Sequence, residues 1–129
     1  MIVDASVLIA IYESEADSRT LWQRIYSSTA RYISAATYTE AGVVALRRDR
    51  RAGLEIVRSI VEELAIDICD VTAEQARIAQ EAYLRYGKGL NPVGLNYGDC
   101  FVYALARARR EPILCKGPEF GKTDIGVVA

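Results

Sequence analysis

Asp4, Glu40, Asp99 and Glu119 are the residues of this chain best suited to chemistry. Each stands at the edge of an apolar segment, in MIVDASVLI, ISAATYTEAGVVA, LNYGDCFVYALARA and ILCKGPEFGKTD respectively. A carboxylate in such a place is costly to strip of water unless something pairs with it. The chain contains no histidine, which excludes a Ser-His-Asp triad, a Cys-His pair and a histidine-held zinc. Cys69, Cys100 and Cys115 form no CxxC pair, so they read as buried reduced thiols, not as a disulfide framework or a thiolate zinc site. Oxygen chemistry remains. Carboxylate and water oxygens are the ligands that Mg²⁺ and Mn²⁺ prefer, and acids gathered without a cation would repel one another and raise one another's pKa. The residue types point to a bound divalent cation, although the sequence does not itself bring the four acids together.

The elements that must position these acids alternate between strand and helix. Ile2 and Val3 read as a short buried strand ending at Asp4, with Ala5 to Tyr12 continuing as helix. Ala16 to Ser28 carries Leu21, Trp22, Ile25 and Tyr26 at helical spacing, and Tyr32 and Ile33 make a second strand. Ser34 is placed to cap a helix running to about Arg48 that contains Glu40, Gly53 marks a break, and Leu54 to Leu64 forms a second helix packed on the first as a hairpin. Ile66 to Val71 alternates as a strand. Thr72 with Gln75 forms a capping box for a helix to about Tyr86, with Ala76, Ala79, Ala82 and Tyr83 along one side. A glycine-rich loop through Gly87, Gly89, Pro92 and Gly94 leads to Asp99, in the first turn of a helix to about Arg110. Pro112 to Cys115 and, more weakly, Gly126 to Val128 complete the strands.

This order predicts an α/β fold, a short and mostly parallel sheet of four to five strands covered by helices on both faces. In such sheets the ligand site lies beyond the carboxyl ends of the strands, where all four acids can meet. At 129 residues the chain is expected to be one domain, 1–129, burying roughly two thirds of its unfolded surface. It is 51% hydrophobic and 26% charged, with no membrane-length apolar run and no secretory leader, so a cytoplasmic location with no membrane contact is expected. The net charge is −1, yet thirteen of the 16 basic residues are arginine, four of them at Arg47, Arg48, Arg50 and Arg51. Arginine's planar fork suits phosphate or carboxylate partners, but a solvated helix end explains the cluster equally simply.

Four blocks in order, IVDASVLIAI, ISAATYTEA, LNYGDCFVYALA and ILCKGPEFGKTDI, resemble the PIN-domain ribonucleases, and within them the VapC toxins of bacterial VapBC toxin–antitoxin pairs. The last two blocks are the most specific. The resemblance implies a PIN-like three-layer fold and an endoribonuclease dependent on Mg²⁺, with Mn²⁺ able to substitute, whose metal ligands are Asp4, Glu40 and Asp99. The family usually has Asp where Glu119 stands, and some branches place their fourth acid at the position of Gly117, so Glu119 and Asp124 are both candidates for that role. The implied mechanism is hydrolysis by activated water with stabilisation of the departing 3′ oxygen, giving 5′-phosphate and 3′-hydroxyl ends without histidine. The implied partners are an RNA substrate, a cognate VapB-type antitoxin docked on the 35–64 hairpin, and a second copy in a homodimer.

Ser6 and Thr37 are placed to hold a water or a ligand oxygen near the acids. Arg85, Lys88, Lys116 and Lys122 lie where RNA phosphates would pass, and Tyr97 and Tyr103 flank Asp99 as candidates for core packing or base stacking. Two other readings compete. One is a PIN-like module that binds RNA or protein without cleaving. The other is a phosphoacceptor receiver domain, disfavoured because Asp4 has no acidic neighbour before Glu13.

Overall fold

Two-residue alternation along very short strands builds two cores at once. The computed structural model describes residues 1–128, and its strands β1 (Ile2–Val3), β2 (Tyr32–Ser34), β3 (Asp67–Cys69) and β4 (Ile113–Leu114) form one parallel sheet in the order β3-β2-β1-β4. The register pairs Ile2 with Tyr32 and Ile113, and Val3 with Leu114. Val3, Ile33 and Leu114 face one core, whereas Ile2, Ile113 and Cys69 face the other. Strands buried on both sides read as continuous apolar runs, as this sequence does at its start. Val127 adds one parallel bridge to Ile113, so the weak last strand is reduced to a single contact.

The helices α1 (Ala5–Tyr12), α2 (Ser18–Ser27) and α3 (Ala35–Glu63) supply the core on the Val3 face. Helices α4 (Ala73–Tyr86) and α5 (Tyr97–Arg109) supply the core on the Ile2 face, where Tyr103 is buried. A 3₁₀ turn spans Phe120–Lys122.

The expected hairpin is present, but its break is not at Gly53. Helix α3 kinks at Asp49 and Arg50, and Arg50 adopts φ 54°. Gly53 lies inside the second limb, where an added Cβ would stand 2.2 Å from the Ala45 carbonyl oxygen. Its smallness lets the two limbs touch, which is a packing demand and not a turn demand. Two further expectations are corrected. Thr72 caps α4 by accepting from the Gln75 amide at 3.1 Å, with no reciprocal bond from the Gln75 side chain. Ala76 and Tyr83 face outward, while Gln75, Ala79 and Ala82 are buried. Among the described residues no helix is long and apolar enough to cross a membrane.

Candidate active site

Asp4 directly follows β1 and caps α1, its Oδ2 accepting from both the amide (3.1 Å) and the hydroxyl of Ser6. The Ser6 hydroxyl also accepts from the Lys116 amide at 3.2 Å, which ties the end of β1 to the segment after β4. Asp4 is only 8% exposed. Burial pushes its carboxyl above the ordinary carboxylate range and the charge of Glu119 adds to this, against the lowering effect of the Ser6 bonds.

Glu40 comes from the second turn of α3, which Ser34 caps through the Ala36 amide at 3.3 Å. Its carboxylate lies against Gly98, where a Cβ would come within 2.6 Å of Oε1. Burial of its inner side raises its pKa, and the charges of Asp4 and Asp99 raise it further.

Asp99 occupies the third position of α5 and closes a reciprocal cap with Asn96. Its Oδ2 accepts from the Asn96 amide at 2.9 Å, and its own amide donates to Asn96 Oδ1 at 2.9 Å. Capping and site chemistry are therefore not alternatives here, because one oxygen serves the cap and the other is left for the site. Burial raises the Asp99 carboxyl, the Asn96 bond lowers it, and Asp4 and Glu119 raise it again.

Glu119 stands just before the 3₁₀ turn, its Oε2 held over Gly117, where a Cβ would lie 2.2 Å away. The extra methylene of Glu thus folds the carboxylate into the space that a side chain at position 117 would take. Cys115 lies within the same field. Its thiol is pushed up to about 11 by burial and then by Asp4, Glu119 and Asp99, so it stays protonated at neutral pH.

Four acids from four separate segments thus share one field at the carboxyl edge of the sheet. None of the four is in an ion pair among the described residues. The donor set is carboxylate and hydroxyl oxygen without imidazole or thiolate, which fits a hard divalent cation. The Thr37 hydroxyl, one turn before Glu40, is buried without a hydrogen-bond partner. Among the described residues no three acidic or thiol side chains close into a finished ligand cage. A cation that keeps several waters does not require one.

The other side chains singled out from sequence have partners or surroundings of their own. Asp124 is held by Tyr103, Arg107 and Arg85, and its charge is not among those that perturb Asp4, Glu40 or Asp99. The Lys116 ammonium bonds Glu15 at 2.9 Å and Asp17 at 3.2 Å. Lys88 is exposed on a groove of about 650 Å³ between α4 and α5, also lined by Tyr83, Asn96, Tyr97 and Phe101. Tyr97 is 77% exposed and edge-on to Phe101, whereas Tyr103 is core. Sequence reasoning passed over Gly98 and Asn96, and named Gly117 only as the position where some branches place an acid. The LNYGD spacing of Asn96 and Asp99 was the one readable signal for the reciprocal cap.

The PIN domain model matches residues 1–126. The chain belongs to the PIN-domain family. It is 40% identical to ribonuclease VapC28 of Mycobacterium tuberculosis, covering 97% of this chain and 95% of that one. It is 38% identical to ribonuclease VapC of Mycolicibacterium smegmatis over 99% of each. This PIN domain therefore sits among the VapC ribonucleases. Its fold matches that of Mycobacterium tuberculosis VapC20, a sarcin-ricin loop cleaving toxin, with TM-score 0.80 and 18% identity over 98% of this chain and 97% of that one. A toxin–antitoxin complex from Klebsiella pneumoniae matches with TM-score 0.74 and 16% identity over 99% and 95%.

Proposed function

We propose that this PIN domain is the RNA-cleaving toxin of a cytoplasmic toxin–antitoxin pair, a Mg²⁺-dependent endoribonuclease in which Mn²⁺ can substitute and whose products carry 5′-phosphate and 3′-hydroxyl ends. The observation that carries this reading is that Asp4, Glu40 and Asp99 are each raised by burial and by neighbouring acids, Glu119 adding its charge to the field on Asp4 and Asp99, while none of the four is in an ion pair among the described residues. Asp4, Glu40 and Asp99 would hold the metal, with Glu119 as the fourth acid. When bound, such a cation neutralises the acids, lowers the pKa of an attacking water and stabilises the departing 3′ oxygen.

The chain's own residues do the positioning. Ser6 fixes the Asp4 carboxylate and links it to the Glu119 segment. Asn96 fixes the Asp99 carboxylate by one oxygen and leaves the other free. Lys88 at the groove rim offers charge to a phosphate, and exposed Tyr97 offers a face to an unpaired base. With no histidine in the chain, a general acid–base pair acting through the RNA 2′-hydroxyl lacks its commonest residue.

Two surfaces suit the partners. Val43, Leu46 and Ile56 are exposed on α3 beside Arg47 and Arg50, a mixed apolar and cationic face for an antitoxin segment. Leu84 near the end of α4 and Leu90 in the loop after it are exposed, a face for a second copy of the chain. Incubating total RNA with the protein tests the activity. Cleavage requiring Mg²⁺ or Mn²⁺, stopped by EDTA and by Asp99→Asn, with 5′-phosphate ends, supports the nuclease. Stable RNA binding without new ends under all conditions would identify an inert binding module instead.

A further inference from the structure

Asp124 ends the loop that carries Glu119, and both of its carboxylate oxygens are taken by protein donors. The Tyr103 hydroxyl donates to Oδ1 at 2.7 Å. Arg107 Nη2 donates to Oδ2 at 2.8 Å and to the Tyr103 hydroxyl oxygen at 2.9 Å. Arg85 approaches Oδ2 from α4 at 3.4 Å, and its guanidinium lies 4.9 Å from the Tyr86 ring centroid. Tyr103 is 2% exposed, so packing fixes its hydroxyl. A divalent cation at Asp124 would have to sit beside two guanidinium groups, which like-charge repulsion opposes.

The same loop is fastened elsewhere. Its start is tied by the Lys116 amide to Ser6, and its middle by Phe120, 2% exposed beneath α5. Thr123 then closes the turn by donating to the Phe120 carbonyl at 2.7 Å and accepting from the Ile125 amide at 3.2 Å. Glu119 hangs between these anchors, and it alone of the loop's two acids contributes to the field on Asp4 and Asp99.

The geometry points to Asp124 as a positioning residue, a buckle closed by Tyr103, Arg107 and Arg85 that holds loop 115–123 so that Glu119 faces Asp4 and Asp99. The purpose assigned to Glu119 rests on the nuclease reading, whereas the buckle itself does not. The decisive partner is Tyr103, because a phenylalanine there removes one bond to Asp124 and cannot remove a metal ligand.

The test compares the full-length protein with Asp124→Asn, Tyr103→Phe and Glu119→Gln by amide hydrogen exchange, Mn²⁺ binding followed by electron paramagnetic resonance, and RNA cleavage. Asp124→Asn and Tyr103→Phe should both speed exchange across 117–123 by ~10-fold or more, as local opening becomes easier. Both should lower cleavage in the same direction, by ~10- to 100-fold for Asp124→Asn, as loss of an orienting partner does. Glu119→Gln should weaken Mn²⁺ binding while leaving exchange as in the parent. A Tyr103→Phe protein identical to the parent in exchange, with Mn²⁺ affinity lost only in Asp124→Asn, would overturn the buckle and make Asp124 a ligand. If the parent protein cleaves no RNA with either metal, the nuclease reading fails, and the exchange comparison still decides the buckle.

Discussion

The carboxylate of Glu40 fills the place where a side chain on Gly98 would stand, with Oε1 2.6 Å from that missing Cβ. This relationship joins α3 to the first turn of α5 and puts Glu40 in the field of Asp99. Gly98 is in helical backbone without positive φ, so alanine is locally acceptable there and even favoured by helix propensity. Only the flexible end of Glu40 has to move. Gly98→Ala should therefore keep the melting temperature at or slightly above that of the parent while lowering kcat by ~10- to 100-fold, since a displaced ligand arm acts at the site and not on the fold. Thermal unfolding and steady-state cleavage of the same preparation check this. A matched loss of both stability and activity would point to a packing role for Gly98.

The metal-free protein should be more stable with fewer acids. Asp4, Glu40 and Asp99 all have folded-state pKa values raised above their ordinary ones. Such groups bind protons more tightly when folded, so they favour the fold fully below the ordinary carboxylate pKa, and that contribution is lost as pH rises through the folded values. Asp4→Asn should raise the stability of the EDTA-treated protein at pH 7.5, because the amide retains an oxygen for the Ser6 bonds and carries no charge to be desolvated. The advantage should shrink as pH falls toward about 4. With Mg²⁺ or Mn²⁺ added at pH 7.5 the order should reverse, because only the parent gains binding energy from the cation. Denaturant melts at several pH values, with and without metal, read this directly.

Much of the fold was legible because the apolar runs are short and uninterrupted. Ile2 and Val3, or Ile113 and Leu114, have no polar partner to alternate with, and only a sheet covered on both faces buries them. The cap at Ser34 was read from residue type and position, whereas the cap at Asn96 was open to the same reading and was passed over. What was not legible depends on contacts between distant segments. Gly53 reads as a breaker until Ala45 is seen against it, and Gly98 and Gly117 are silent until Glu40 and Glu119 are placed beside them. Asp124 and Glu119 share one loop, and only the positions of Tyr103 and Arg107 on α5 separate their roles.

Cys115 is surrounded by the site's acids, yet its thiol pKa of about 11 leaves almost no thiolate at neutral pH. Thiol and serine hydroxyl differ little in size, and no hydrogen bond from Cys115 to an acid holds the cluster, its sulfur pointing to the Gly117 carbonyl at 3.6 Å. Cys115→Ser should leave cleavage within ~2-fold of the parent, and iodoacetamide should react with the parent slowly at pH 7.5, as expected for a protonated thiol. Rapid alkylation with loss of activity would instead place a thiolate in the site.

Gly53 separates the fold's needs from the partner's. An added Cβ would meet the Ala45 carbonyl oxygen at 2.2 Å and its carbon at 2.8 Å, and backbone cannot swing aside as the end of a side chain does. Gly53→Ala should therefore spread the two limbs of α3 and cost about 1–3 kcal/mol of stability, the range for overpacking in a close contact. Glu40 lies in the first limb, anchored by the Ser34 cap and by Ala41 and Ala45 in the core, so cleavage by the folded fraction should remain near the parent's rate. Val43 and Leu46 sit on one limb and Ile56 on the other, so spreading distorts the face proposed for the antitoxin. Relief of cleavage by the cognate antitoxin should then require more antitoxin for Gly53→Ala than for the parent. Equal relief of both at equal antitoxin, with the stability loss present, would move the docking face away from the α3 hairpin.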